Sequence, residues 1–312
     1  MSELSTAVDD YLALRRVLGH KMELAARLLA QFAAHCEQTD ATHVTTEHAV
    51  AWASLPAGAS AGWKAQRLGI VRGFAAWLQT QDDRTQVPPA DILPGRFDRA
   101  VPYLYTEDDI AALMAAATEL PLPLQRHTYR TLIGLLSVTG MRIGEAIRLA
   151  RDDVHAAREV VRVVNSKFGK SREIPLHPSV IEALRRYAEQ RDRLCPTPSC
   201  DSFFVSTQGT RLRYSVVAAT FRKLTQRAGL HPRSPRCRPR IHCLRHSFAV
   251  RALVDCYATG GDVQALLPLL STWLGHVDPA STYWYLSAAP ELLGHAGRRL
   301  ETAFEHETEN DR

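Results

Sequence analysis

Between residues 85 and 102 every hydrophobic periodicity stops: prolines stand at 88, 89 and 94, Gly95 follows, and scattered charges fill the gaps. Proline fixes φ and removes an amide donor, so neither a helix interior nor a central strand passes through such a stretch. It reads as a linker, and 312 residues give enough chain for a core on either side of it. The expected organisation is a helical domain over 1–88, a linker over 89–104, a second domain over 105–304 and a loose acidic tail over 305–312.

Upstream of the linker, Leu12, Leu18, Met22, Ala25, Leu28, Leu29 and Phe32 recur with helical spacing, and Leu68, Val71, Phe74, Ala75 and Leu78 repeat it. Downstream, Thr106 before Glu107, Asp108 and Asp109 has the form of an N-cap followed by acids in a first helical turn. An apolar helix over 128–138 ends at Thr139-Gly140, and another starts after Met141. Strand-rich segments over 159–164 and 172–176 flank the turn-prone 166–171, which predicts a hairpin. Helices are expected over 179–190 and from about 241 to 303.

The formal charge of +5 is unevenly spread. Residues 1–100 carry 10 Lys/Arg against 11 Asp/Glu, whereas residues 101–300 carry 27 against 17. Between Asp201 and Asp255 no carboxylate interrupts eleven basic residues. Such a stretch suits a phosphate backbone, because each neutralised phosphate releases condensed counterions. A solvated basic face would look the same. The candidate DNA contacts are Arg211, Arg213, Arg222, Lys223, Arg238 and Arg240 here, with Lys64 and Arg67, three apart on a helix, in the first domain. No run of about 18 apolar residues and no signal sequence is present, so a cytoplasmic protein away from membranes is expected. A zinc site of Cys195, Cys200, Cys237 and Cys243 is loosely spaced, and free thiols are the better reading. Neither metal nor cofactor is expected.

Four separated clusters carry chemistry. In Thr139-Gly140-Met141-Arg142-Ile143-Gly144-Glu145 an arginine follows a helix break, where it and the free amides of the next helix can face one anion. Lys167 stands at the hairpin tip. In His242-Cys243-Leu244-Arg245-His246-Ser247-Phe248, His242 and Arg245 share a helix face. Trp273-Leu274-Gly275-His276 precedes Tyr283-Trp284-Tyr285. Each cluster alone has a commoner explanation: a surface arginine, a solubilising lysine, a core histidine, core aromatics. Jointly they can attack a phosphodiester without metal. Guanidiniums offset charge on the nonbridging oxygens, an ammonium protonates the leaving oxygen, and a phenol attacks phosphorus.

This set, in this order and with a tyrosine nine residues after His276, resembles the tyrosine recombinase (phage integrase) family over residues 104–290. The resemblance implies a mainly α fold with a small antiparallel β-sheet (an α+β catalytic domain), preceded by an all-α, SAM-like core-binding domain. It implies that Tyr285 attacks to leave a 3′-phosphotyrosyl bond and a free 5′-hydroxyl. Arg142 and Arg245 would grip the phosphate, Lys167 would protonate the 5′ oxygen, and His242 and His276 would manage the phosphate and the phenol proton. Glu145 would support Arg142. Double-stranded DNA is the implied partner, held in a clamp by two domains, with a homotetramer on DNA and other recombinases of the same element as further partners. The run Thr282–Leu286 with Pro290-Glu291 is similar to recombinases of mobile elements. Cys243 stands where many relatives carry aspartate, and Tyr283 is a second candidate nucleophile. A type IB topoisomerase-like enzyme and a catalytically silent DNA-binding accessory protein are the alternatives.

Overall fold

The computed structural model describes residues 3–93, 101–164, 171–276 and 280–288. The chain divides into two compact units, Met1–Arg99 and Ala100–Arg312.

The first unit is all helical: α1 (Glu3–Val17), α2 (Glu23–Gln38), α3 (Thr46–Ser54) and α4 (Ala61–Leu78). Ser/Thr caps start the last two, with Thr45 Oγ1 accepting from the His48 amide and Ser60 Oγ from the Trp63 amide. The apolar stripes of the sequence meet in one core of Leu28, Leu29, Phe32, Trp52, Leu68, Val71 and Phe74. The periodicity from Leu12 to Phe32 is not one helix. Gly19 at φ +84° and Met22 at φ +51° break it, and Leu18 is left 61% exposed.

The second unit contains α5 (Glu107–Thr118), α6 (Pro123–Thr139), α7 (Ile143–Arg148), α8 (Pro178–Leu194), α9 (Tyr214–Arg227), α10 (Cys243–Ala258), α11 (Val263–Leu274) and α12 (Ala280–Ala288). Thr106 and Asp109 form a reciprocal capping box at the start of α5. Strands β1 (Val154–His155), β2 (Val160–Val163) and β3 (Arg172–Pro175) make an antiparallel sheet in that order, with Val161 opposite Ile174. The expected hairpin is β2–β3, and its tip, with Lys167, lies outside the described residues. The acidic tail lies outside them too. The fold class is therefore mainly α with a small antiparallel sheet. Helix α6 starts earlier than its apolar run because Pro123 is tolerated at a first turn, where its missing amide costs nothing. Helix α6 is surrounded: Leu132, Ile133, Leu135 and Leu136 are all buried in the unit's main core. Among the described residues no helix is long and apolar enough to cross a membrane.

Candidate active site

The site is assembled from two helix breaks. Helix α6 stops at Gly140, which adopts the left-handed conformation (φ +60°) that side chains resist. A Cβ there would also stand 2.5 Å from Phe248 and 2.9 Å from Leu274. The chain then turns into α7 with Arg142 as N-cap residue. The Arg142 amide and Nη1 both donate to Glu145, at 2.9 and 3.0 Å. Helix α11 ends the same way at Gly275 (φ +66°), and His276 follows. Arg142 Nη2 donates to the Gly275 carbonyl at 3.1 Å, so the two breaks are tied together.

Arg245, in the first turn of α10, is 2% exposed and bonds to the same two breaks. Its Nη1 donates to the Gly140 carbonyl and its Nη2 to the Leu274 carbonyl, both at 2.8 Å. Burial, and then the Arg142 charge, lowers its guanidinium to about 10, while Tyr285 and Glu145 pull the other way, so it stays cationic at neutral pH. Burial also pushes the Glu145 carboxyl up, but the Arg172 hydrogen bonds and charge, followed by those of Arg142, outweigh it and hold it below the ordinary carboxylate range.

His276 Nδ1 lies 2.6 Å from Thr282 Oγ1, which fixes the ring against α12. Its imidazole is pushed down to about 4, by burial first and then by Arg245 and Arg142. His242 is pushed down to about 4 by the same causes in the same order, although one side of the residue is open to solvent. At neutral pH both rings are uncharged, each with one donor and one acceptor nitrogen.

The two tyrosines of α12 have opposite environments. Tyr283 is 55% exposed, whereas Tyr285 is 2% exposed. The Tyr285 hydroxyl lies 3.2 Å from His246 Nδ1 and its ring stacks on His276 at 6.2 Å and 19°. Residues two apart on a helix point about 200° apart, so only one of the pair can face this site.

Arg142, His242, Arg245, His276, Tyr285 and Glu145 are thus gathered in one place, and Lys167 lies outside the described residues. Two side chains that sequence reasoning does not single out belong here. Arg172 on β3 donates from Nη1 and Nη2 to Glu145 at 3.3 and 2.9 Å. His246 contacts the Tyr285 hydroxyl and packs edge-to-face on His242. The expected DNA contacts divide. Arg213, Arg222, Lys223, Arg238 and Arg240 are exposed, and so is Arg211, which is held by Ser202 and Asp201. Lys64 is half-buried. Arg67 does not belong among them: it is 6% exposed, its guanidinium lies 3.7 Å over the Trp52 ring, and Nη2 donates to the Trp52 carbonyl at 2.8 Å. Its helix face is the one turned to the core.

The family model that matches is the phage integrase family, over residues 104–291. The chain is 43% identical to a protein of Sinorhizobium fredii described as "Putative integrase/recombinase y4rB", over 99% of this chain and 100% of the relative. It is 28% identical to tyrosine recombinase XerD of Neisseria meningitidis, over 72% of each. Among solved structures, the Tn1549 transposon integrase in complex with transposon right end DNA superposes with a TM-score of 0.67 at 18% identity, covering 97% of this chain and 99% of that one.

Proposed function

This chain belongs to the phage integrase family, site-specific DNA recombinases that cleave and rejoin strands through a tyrosine, and we propose that Tyr285 is that tyrosine. The observation that carries the reading is the contact of a single buried phenol with His246 beside His276 and the buried Arg245. Arg142 and Arg245 each keep donors beyond their main-chain contacts, and a phosphate seated between them has its nonbridging charge offset by fixed cations. The Tyr285 oxygen attacks phosphorus, forming the phosphotyrosyl bond and breaking the bond to the 5′ oxygen. The phenol proton passes to His246 Nδ1, 3.2 Å away, and Lys167 supplies the proton that the 5′ oxygen takes up. His276 and His242, both neutral, donate hydrogen bonds to the phosphate. Because one phosphoester replaces another, the reverse attack by a 5′-hydroxyl reseals the strand without an energy source.

Exchange between two duplexes needs four phenols, so the working species is a tetramer on double-stranded DNA, with other recombinases of the same element able to share it. The first unit and the exposed basic residues of the second hold the duplex, and the substrate puts the protein in the cytoplasm. Nicked duplexes of randomised sequence, from which covalent complexes are recovered under denaturing conditions, test the assignment. Tyr283→Phe should form the adduct at the unmodified rate and Tyr285→Phe should form none; adduct from the latter protein rejects Tyr285 as nucleophile.

A further inference from the structure

Three successive carbonyls at the end of α11 are each taken by a different guanidinium. Trp273 O accepts from Arg172 Nε at 2.7 Å, Leu274 O from Arg245 Nη2 at 2.8 Å, and Gly275 O from Arg142 Nη2 at 3.1 Å. A helix end leaves its last carbonyls without intrahelical partners and carries partial negative charge, so it both needs donors and attracts cations. Two of these arginines, Arg142 and Arg245, are the pair proposed to grip phosphate, a role on which the assignment of the third depends. Arg172 spends its hydrogen bonds on groups that do not react. Beyond the Trp273 carbonyl, its other two nitrogens hold Glu145, whose side chain is 1% exposed. The two Glu145 oxygens thereby receive four donors, two from Arg142 and two from Arg172.

We propose that Arg172 is a positioning residue: by clamping Glu145 to the Trp273 carbonyl it sets the place and orientation of the Arg142 guanidinium. Arg142 is a quarter exposed and is anchored by Glu145 and by the Gly275 carbonyl, so either anchor's drift moves the group that meets the phosphate. Arg172 holds the first of these anchors directly and bonds the carbonyl two residues before the second, from one rigid, planar head. Gly275 fits the same scheme. A Cβ at that position would stand 2.9 Å from Arg172 Nη1, so the glycine is required by the clamp as well as by its positive φ. A lysine cannot replace this head, because one ammonium does not span a carboxylate and a carbonyl in fixed geometry.

The test is a double-mutant cycle read as single-turnover adduct formation on the recovered duplex, with DNA affinity measured in parallel. Arg172→Ala should slow adduct formation about 10- to 100-fold while leaving Kd within about twofold. In an Arg142→Lys background the same change should cost less than about threefold, because the group it positions is already impaired. Additive losses, an undiminished rate, or a loss that appears in Kd instead of rate would overturn the proposal. Should Arg172→Ala not fold, Arg172→Lys takes its place; a folded Arg172→Lys protein with the unmodified rate overturns it equally. Arg142→Lys with an undiminished rate would be a different failure, that of the active-site reading itself, and the clamp would fall with it.

Discussion

Two histidines held at about 4 give the site a signature in acid. Unfolded, each imidazole takes up its proton near pH 6.5. Folded, burial and two guanidiniums refuse the proton until about pH 4. Their contribution to stability is complete above pH 6.5 and is lost as pH falls from there towards 4. Urea midpoints should therefore decline over that window, and the decline should be shallower in His276→Gln; a parallel decline in the two proteins would contradict the assignment. At this scale the sequence is legible where the chemistry is unusual. An arginine just after the Gly140 turn, a histidine after Gly275 and a tyrosine nine residues after that histidine are each ordinary alone, and the resemblance they carry together gives each a reason. Arg172 and His246 have none: an arginine opening a strand and a histidine inside a helix are ordinary until Glu145 and the Tyr285 hydroxyl are seen against them. Arg67 defeats a reading from spacing, which tells which residues share a face and not which face is turned inward.

Among the elements, the breaks matter more than the helices they end. Gly140 combines positive φ with atoms 2.5 and 2.9 Å from where a side chain would start, whereas Gly19 has positive φ and nothing within 4 Å. Gly19→Ala should cost only the backbone strain of about 1–3 kcal/mol, while Gly140→Ala should add a comparable overpacking cost of about 1–3 kcal/mol. Thermal unfolding of the two variants measures the difference, and equal losses would show that the Phe248 and Leu274 contacts yield freely. Gly140→Ala should also slow adduct formation, because the Gly140 carbonyl anchors Arg245. Helix α9 shows where reading elements from the chain runs short. Its exposed face is so rich in arginine and lysine that the segment reads as a basic surface stretch, although Val217, Phe221 and Leu224 are buried at four-then-three spacing. Strand β1, two residues long, is too short to leave any periodicity.

For the molecule as a whole, the proposed DNA contacts rest on charge. Arg222 and Lys223 are exposed on α9, in a stretch with no carboxylate between Asp201 and Asp255. Replacing both by alanine should lower the slope of log affinity against log salt by about 2. Arg67→Ala should leave that slope alone and lower the unfolding midpoint instead, since its guanidinium lies over Trp52. Fluorescence anisotropy across a salt series separates the two outcomes. The two-unit organisation is readable from prolines because a linker is defined by what it prevents. The convergence of breaks around α11 is not, because carbonyls carry no side-chain identity. The depth of Tyr285 has a final bearing on how the proposed attack begins. At 2% exposure, with its oxygen 3.2 Å from an imidazole, the phenol meets a phosphate only after a neighbour gives way, so the rate of adduct formation should carry the cost of uncovering it.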